Sequence, residues 1–265
     1  MKVKLYLLIL LSGLLLSLQS KAIEVYGVNS QEDSLIILNT ETGAVTNLGP
    51  IHPDANRYTT PVRMAIRPGN GSIFIVNNSP DSDQGISRVD PSGGVTMIAP
   101  YTDDISQIDS IVFTSRGKLI AQYRNGEIAH VNINTGEYNK IDGVQFDALF
   151  TSWVVNPQDG LMYGAQTIID PRFDEMRLFK MDENFSILEE FFVDIPDSLG
   201  NVRSVIFSPE GHLIVVSSHF SQRFVFTLDL SNQQIISGPH LVNNQLSPQA
   251  MGYHFGSGPT AVPAV

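Results

Sequence analysis

Met64-Ala65-Ile66-Arg67-Pro68-Gly69-Asn70-Gly71-Ser72-Ile73-Phe74-Ile75-Val76 reads as an apolar strand, a turn of Pro, Gly and Asn, and a second apolar strand. β-Branched and aromatic residues on both sides suit a pleated, buried surface. Glycine belongs at the turn because tight hairpin connections need positive φ. The same grammar returns three times. The copies are Ser110–Phe113 with Ser115-Arg116-Gly117 and Lys118–Ala121, Trp153–Pro157 with Gln158-Asp159-Gly160 and Leu161–Tyr163, and Ser204–Pro209 with Glu210-Gly211 and His212–Val216.

A second signal follows each hairpin: an apolar strand ending in Asn or Asp ahead of a polar turn. It occurs at Asn39, Asp90, Asn132, Asp182 and Asp229, spaced 51, 42, 50 and 47 residues apart. An Asn or Asp there can accept hydrogen bonds from the backbone just beyond it and so start the turn. A period of this length with four strands per unit is that of a propeller blade. The reading is therefore an all-β, five-bladed β-propeller. Residues 24–50 supply three strands but no innermost one, and Gln249–Phe255 is a strand with no partner following it. The economical solution pairs the two ends, so that the C-terminal strand becomes the inner strand of the first blade, beside Glu24–Asn29. Closure removes exposed sheet edges. A six- or seven-bladed or irregular propeller is the alternative, and it needs strand sets beyond these five. A β-sandwich does not explain five matched units.

The repeated unit resembles the YVTN/lactonase-like and related bacterial β-propeller repeats, over nearly all of the chain after residue 22. The resemblance implies architecture; the fold it implies hosts both binders and enzymes.

Three segments follow: a signal peptide at 1–22, a propeller domain at 23–256, and a small, Pro/Gly-rich tail at 257–265 that reads as disordered. Lys2 and Lys4 precede an apolar run from Leu5 to Leu18, and Ser20-Lys21-Ala22 offers small residues at the positions a signal peptidase reads. The run is short of the roughly 20 residues that span a bilayer as a helix. Export to the periplasm or the medium is expected, with a bacterial look to the signal and no stable membrane insertion after cleavage. Removing three lysines with residues 1–22 takes the net charge from −11 to −14. Such a surface repels nucleic acid. With no cysteine in the chain, stability rests on the core rather than on disulfides.

Ligands of propellers sit on the face built by the loops that join consecutive blades and by those that join second to third strands. Those loops, among them the second-to-third-strand connections Ala165–Met176 and Ser217–Gln222, carry most of the irregular length here, and with it an acidic rim. The rim is either simply solvated, or a Ca²⁺ site, or a catalytic carboxylate set. Asp81, Asp83, Asp103 and Asp104 are the calcium candidates, since Ca²⁺ takes six to eight oxygens. The inner strands are expected to begin at Arg63, Ser110, Ser152, Ser204 and Ala250, just after Val62, Asp109, Thr151, Arg203 and Gln249. Only Asp109 is a carboxylate, whereas a glycosidase needs two at a fixed separation. Arg63, Asp109, Ser152, Arg203 and His219 are accordingly the expected ligand-binding residues at the channel mouth. No catalytic residues are assigned and no cofactor beyond the possible Ca²⁺. The histidines lack metal-ligand spacing, no Gly-x-Ser-x-Gly elbow occurs, and Trp153 is expected in the core. The functional expectation is an exported, non-catalytic propeller that binds a protein, a glycan or a small ligand. The alternative is a metal-assisted, lactonase-like hydrolase with its site at the channel mouth.

Overall fold

A computed structural model describes residues 23–29, 34–51, 61–77, 84–90, 94–102, 107–146, 150–170, 173–220, 222–242 and 248–252, with the backbone alone at 61, 62, 167–170, 173, 174 and 248–252. The expected signal peptide, the tail and the four calcium candidates Asp81, Asp83, Asp103 and Asp104 lie outside the described residues.

The strands fall into five four-stranded antiparallel sheets. The second blade is β4 (Pro61–Ile66), β5 (Ile73–Asn77), β6 (Gly85–Val89) and β7 (Val95–Pro100). The third is β8 (Ile108–Phe113), β9 (Leu119–Tyr123), β10 (Glu127–Val131) and β11 (Tyr138–Gln145). The fourth is β12 (Ser152–Val155), β13 (Met162–Asp170), β14 (Phe173–Met181) and β15 (Ile187–Asp194). The fifth is β16 (Asn201–Phe207), β17 (Leu213–His219), β18 (Gln222–Asp229) and β19 (Gln234–Val242). The first blade joins the two ends of the chain: β20 (Pro248–Gly252) pairs antiparallel with β1 (Glu24–Asn29), followed by β2 (Ser34–Asn39) and β3 (Val45–Pro50).

The first strands of successive sheets touch in cyclic order, β4 on β8, β8 on β12, β12 on β16, β16 on β20 and β20 on β4. They are thus the inner strands of a closed ring. Each seam between neighbouring blades holds its own apolar cluster. Val28, Leu35, Met64 and Ile75 fill the seam between the first and second blades. Phe74, Val76, Ile111 and Phe113 fill the next, and Ile120, Phe150, Trp153 and Met181 the third. Tyr163, Leu178, Phe207 and Val215 fill the fourth, and Val25, Leu38, Ile214 and Val225 close the circle. Side chains alternate between faces along a strand, and both faces of a middle strand meet a neighbouring blade. Hence β5 and β9 are buried at every position, while the outer strand β15 is exposed at most of its positions.

Four of the five expected Asn and Asp anchors close their turns, and the turn after Asp90 lies outside the described residues. Asn39 Oδ1 accepts from the Glu41 and Thr42 amides at 3.0 Å. Asn132 Oδ1 accepts from Asn134 at 3.0 Å, Asp182 Oδ1 from Asn184 at 2.9 Å, and Asp229 Oδ1 from Ser231 at 2.9 Å. Trp153 is 3% exposed and packs edge-on against Phe146 and Phe185.

One expected loop is strand. Ala165–Met176 was read as a long connection on the loop face, but β13 and β14 stay paired from Met162↔Met181 to Asp170↔Phe173. Thr167-Ile168-Ile169 is β-branched throughout, which favours continuing the ladder over leaving it.

The ring closure predicts that a chain ending at Asn244 loses β20 and with it two inner-strand neighbours. Thermal unfolding by circular dichroism should then show the cooperative transition lost or moved down by tens of degrees, because an open array leaves β1 as an edge and uncovers the first and last seams. Melting like that of the full chain would contradict the closure.

Candidate functional site

The fourth inner strand begins at Ser152 as the sequence suggests, whereas the other four begin two or three residues earlier than expected and are bulged near their starts. Asn77 lies opposite Pro61 but Val76 opposite Arg63, which leaves Val62 extra. In the same way Asp109 is extra on β8, Arg203 on β16 and Gln249 on β20. In the fourth blade the Thr151 amide reaches Ala165 O at 2.7 Å immediately before β12 pairs. A bulge sets two residues against one and re-aims the side chains there. The positions that the sequence placed just outside the inner strands are therefore a repeated structural feature at one end of the channel.

Three of the expected residues are linked at this end. Arg63 Nε donates to the Asp109 carbonyl, joining the second blade to the third. The Asp109 carboxylate faces Arg124 Nε at 3.5 Å. Burial lowers the Arg63 pKa, Asp109 counters that, and the charge of Arg203 lowers it further. Arg63 and Arg203 belong to the second and fifth blades, so this repulsion acts across the first blade's sector of the ring. Arg203 is exposed, and its Nε donates to Ser218 Oγ at 2.7 Å. Arg223, opposite Ser218 on β18, also has its pKa lowered, by burial and then by Arg203. Tyr101 lies near the same Asp109. Its hydroxyl oxygen accepts from the Ile108 amide at 3.1 Å, and burial pushes its pKa up to about 12.

Ser152 and His219 are placed differently. Ser152 is buried and its hydroxyl donates to Val205 O at 3.1 Å, tying β12 to β16. His219 ends β17 and meets the Phe220 ring edge-on at 4.3 Å between centroids. Phe220 is 92% exposed and sits at φ 51°. Left-handed backbone is costly for a bulky non-glycine residue. Arg203, Ser218, His219, Phe220 and Arg223 thus share one corner of the loop face, at the top of the fifth blade.

Phe220 and Arg223 escaped the sequence reading. Both lie in or beside the connection Ser217–Gln222, but nothing in the order of residues says that a phenylalanine there stands out in solvent. Among the described residues no group of three or more His, Asp or Glu side chains is placed to hold a metal ion.

Five four-stranded blades closed around a channel define the protein as a five-bladed β-propeller. Solved structures share this propeller fold. A chain of a nidogen/laminin complex superposes with TM-score 0.52 at 12% identity, over 86% of this chain and 97% of that one. A gluconolactonase from Xanthomonas campestris superposes with TM-score 0.52 at 11% identity, over 83% and 77%. At these identities the likeness is one of fold. No family model and no curated protein matches the chain.

The Ser152 bond makes a stability prediction. Ser152→Ala removes a buried hydrogen bond between blades and should cost about 1 kcal/mol in chemical denaturation. An unchanged midpoint would show that this bond does not help hold the fourth and fifth blades together.

Proposed function

We propose that the protein is an exported, non-catalytic β-propeller that recognises a protein, a glycan or a small ligand at the loop face, with the top of the fifth blade as its anchor. The observation that carries this reading is Phe220, a fully displayed aromatic ring held at positive φ beside His219, Arg203 and Arg223. Aromatic and arginine side chains dominate recognition surfaces, and backbone strain in a loop is retained where a function needs the side chain there. The described channel mouth offers arginines and serines around the single carboxylate of Asp109, which suits binding of a polar ligand.

The same reading takes residues 1–22 as a cleaved signal, so that the exported chain begins at Ile23. It keeps Asp81, Asp83, Asp103 and Asp104 as a possible Ca²⁺ site. The structural likeness to a gluconolactonase supports the fold alone, so lactone hydrolysis remains the reading to test against.

Phe220→Gly separates recognition from stability. It relieves a left-handed strain of about 1–2 kcal/mol and adds about 0.5–1 kcal/mol of chain entropy cost. Its melting temperature should therefore equal or exceed that of the parent, while glycan-array and peptide-array hits of the parent should weaken at least tenfold. Arg203→Ala should likewise keep its stability within about 0.5 kcal/mol and lose the same hits. Array binding that survives both changes would move the site away from this corner.

The catalytic alternative is checked with metal. Melting temperature measured in Ca²⁺ and in EDTA should coincide if the protein binds no calcium, and incubation with simple lactones should give no turnover in either. A rise with Ca²⁺ accompanied by metal-dependent hydrolysis would replace the binding reading by the enzymatic one.

A further inference from the structure

The end of the propeller opposite the loop face carries the short turns, and a cleft of about 310 Å³ opens there between the second and third blades. Arg67, Lys118, His130, Asn132 and Asn139 line it with Leu119, Val131 and neighbouring backbone, and among the described residues no acidic one does. In a chain with 27 acidic and 16 basic side chains this is a local reversal of sign.

Two features show that these side chains are not there for the turns or for ion pairing. The residue that follows an inner strand normally closes the turn with its own side chain. Thr114 Oγ1 accepts from the Lys118 amide at 3.2 Å, Asn156 Oδ1 from Gln158 at 2.9 Å, and Ser208 Oγ from His212 at 3.2 Å. Arg67 occupies that place in the second blade, where Asn70 Oδ1 takes over by accepting from the Ser72 amide at 3.1 Å. The Arg67 side chain is thus released from the repeat's structural task and lines the cleft instead. The other cations near this end are neutralised: Arg88 by Asp90 at 3.6 Å, Arg116 by Glu183 at 2.9 Å and Lys180 by Asp159 at 3.4 Å. Arg67 and Lys118 take part in no ion pair among the described residues.

The remaining lining groups can donate. Asn132 Oδ1 is occupied by the Asn134 and Thr135 amides, which leaves its NH₂ group to face outward. Burial, and then the charge of Lys118, lower the His130 pKa, so near neutral pH the ring is uncharged and can offer one N–H. Two fixed positive charges, one a planar fork and one a mobile point charge, with neutral donors beside them, suit a small ligand with two negative charges on oxygen. A volume at the lower end of the usual ligand range calls for a compact one.

We propose that this cleft is a binding site for a small dianionic oxyanion, best matched by a phosphate group, held by Arg67 and Lys118 with Asn132, Asn139 and His130 as neutral donors.

Inorganic phosphate is the probe, titrated calorimetrically into the protein at low salt. Saturable binding with Kd of about 1 mM or tighter is expected, with sulfate equivalent and acetate at least tenfold weaker. Arg67→Gln and Lys118→Gln should each weaken phosphate binding about tenfold, and circular dichroism should show both variants folded like the parent. Arg116→Gln, which removes an ion-paired cation at the same end, should bind as the parent does. No saturable binding, or equal weakening by Arg116→Gln, would overturn the proposal, the second result because it would mean diffuse attraction to the surface. Loss of binding in Phe220→Gly with the Arg67 and Lys118 variants unaffected would place phosphate at the loop face and equally overturn it.

Discussion

Everything in this structure depends on the pairing of β20 with β1. Four blades are built from consecutive chain, and each buries its flat apolar faces only against its neighbours. A row of such sheets would leave two faces and two inner edges in water. The five residues Pro248–Gly252, set beside Tyr26–Asn29, remove both at once. They give the first blade its inner strand and bring Val25 and Leu38 against Ile214 and Val225. With no cysteine in the chain, this noncovalent closure and the five seams it completes are what hold the ring.

Closure also sorts the two ends of the channel. At the turn end, backbone groups are satisfied locally by Asn, Asp, Thr and Ser side chains, and the connections are short. At the loop end, four of the five inner strands, β4, β8, β16 and β20, enter the ring through a bulge, so that the extra residue falls where the strands converge. Asp109 and Arg203 are such residues, and Arg63 follows the extra residue of its own strand. Their coupling across the ring exists because the ring is small enough for arginines of the second and fifth blades to feel one another. The propeller thereby offers two chemically distinct surfaces, an arginine- and aromatic-bearing corner at the loop end and a basic cleft between blades at the turn end.

Much of this was legible in the residues. The turn anchors Asn39, Asn132, Asp182 and Asp229 were identified by type and spacing because an Asx turn is closed by atoms within four residues of one another. Trp153 was placed in the core because it sits amid apolar strand residues. Arg63, Asp109 and Arg203 were picked out by their position in the repeat, although as residues at strand entrances rather than in bulges. The hairpin of β13 and β14 was missed because polar Gln166 and Asp170 suggest a loop, whereas the continued ladder depends on the partner strand. Phe220 was missed because exposure of an aromatic side chain follows from the φ of its turn and from what surrounds it, and a linear pattern contains neither.

The sequence by itself determined the strands, their turns, the fivefold repetition and the need for the chain's two ends to meet, since each of these follows from local periodicity or from a shortage of one strand. Only the tertiary structure decided which side chains face each other across the seams and the channel. Arg67 looks like any turn residue until its blade is set against the third, where it joins Lys118 and His130, and Arg63 and Arg203, 140 positions apart, interact only once the ring is closed. Charge and shape at a site are sums over residues distant in the chain, and the ring alone fixes which residues enter the sum.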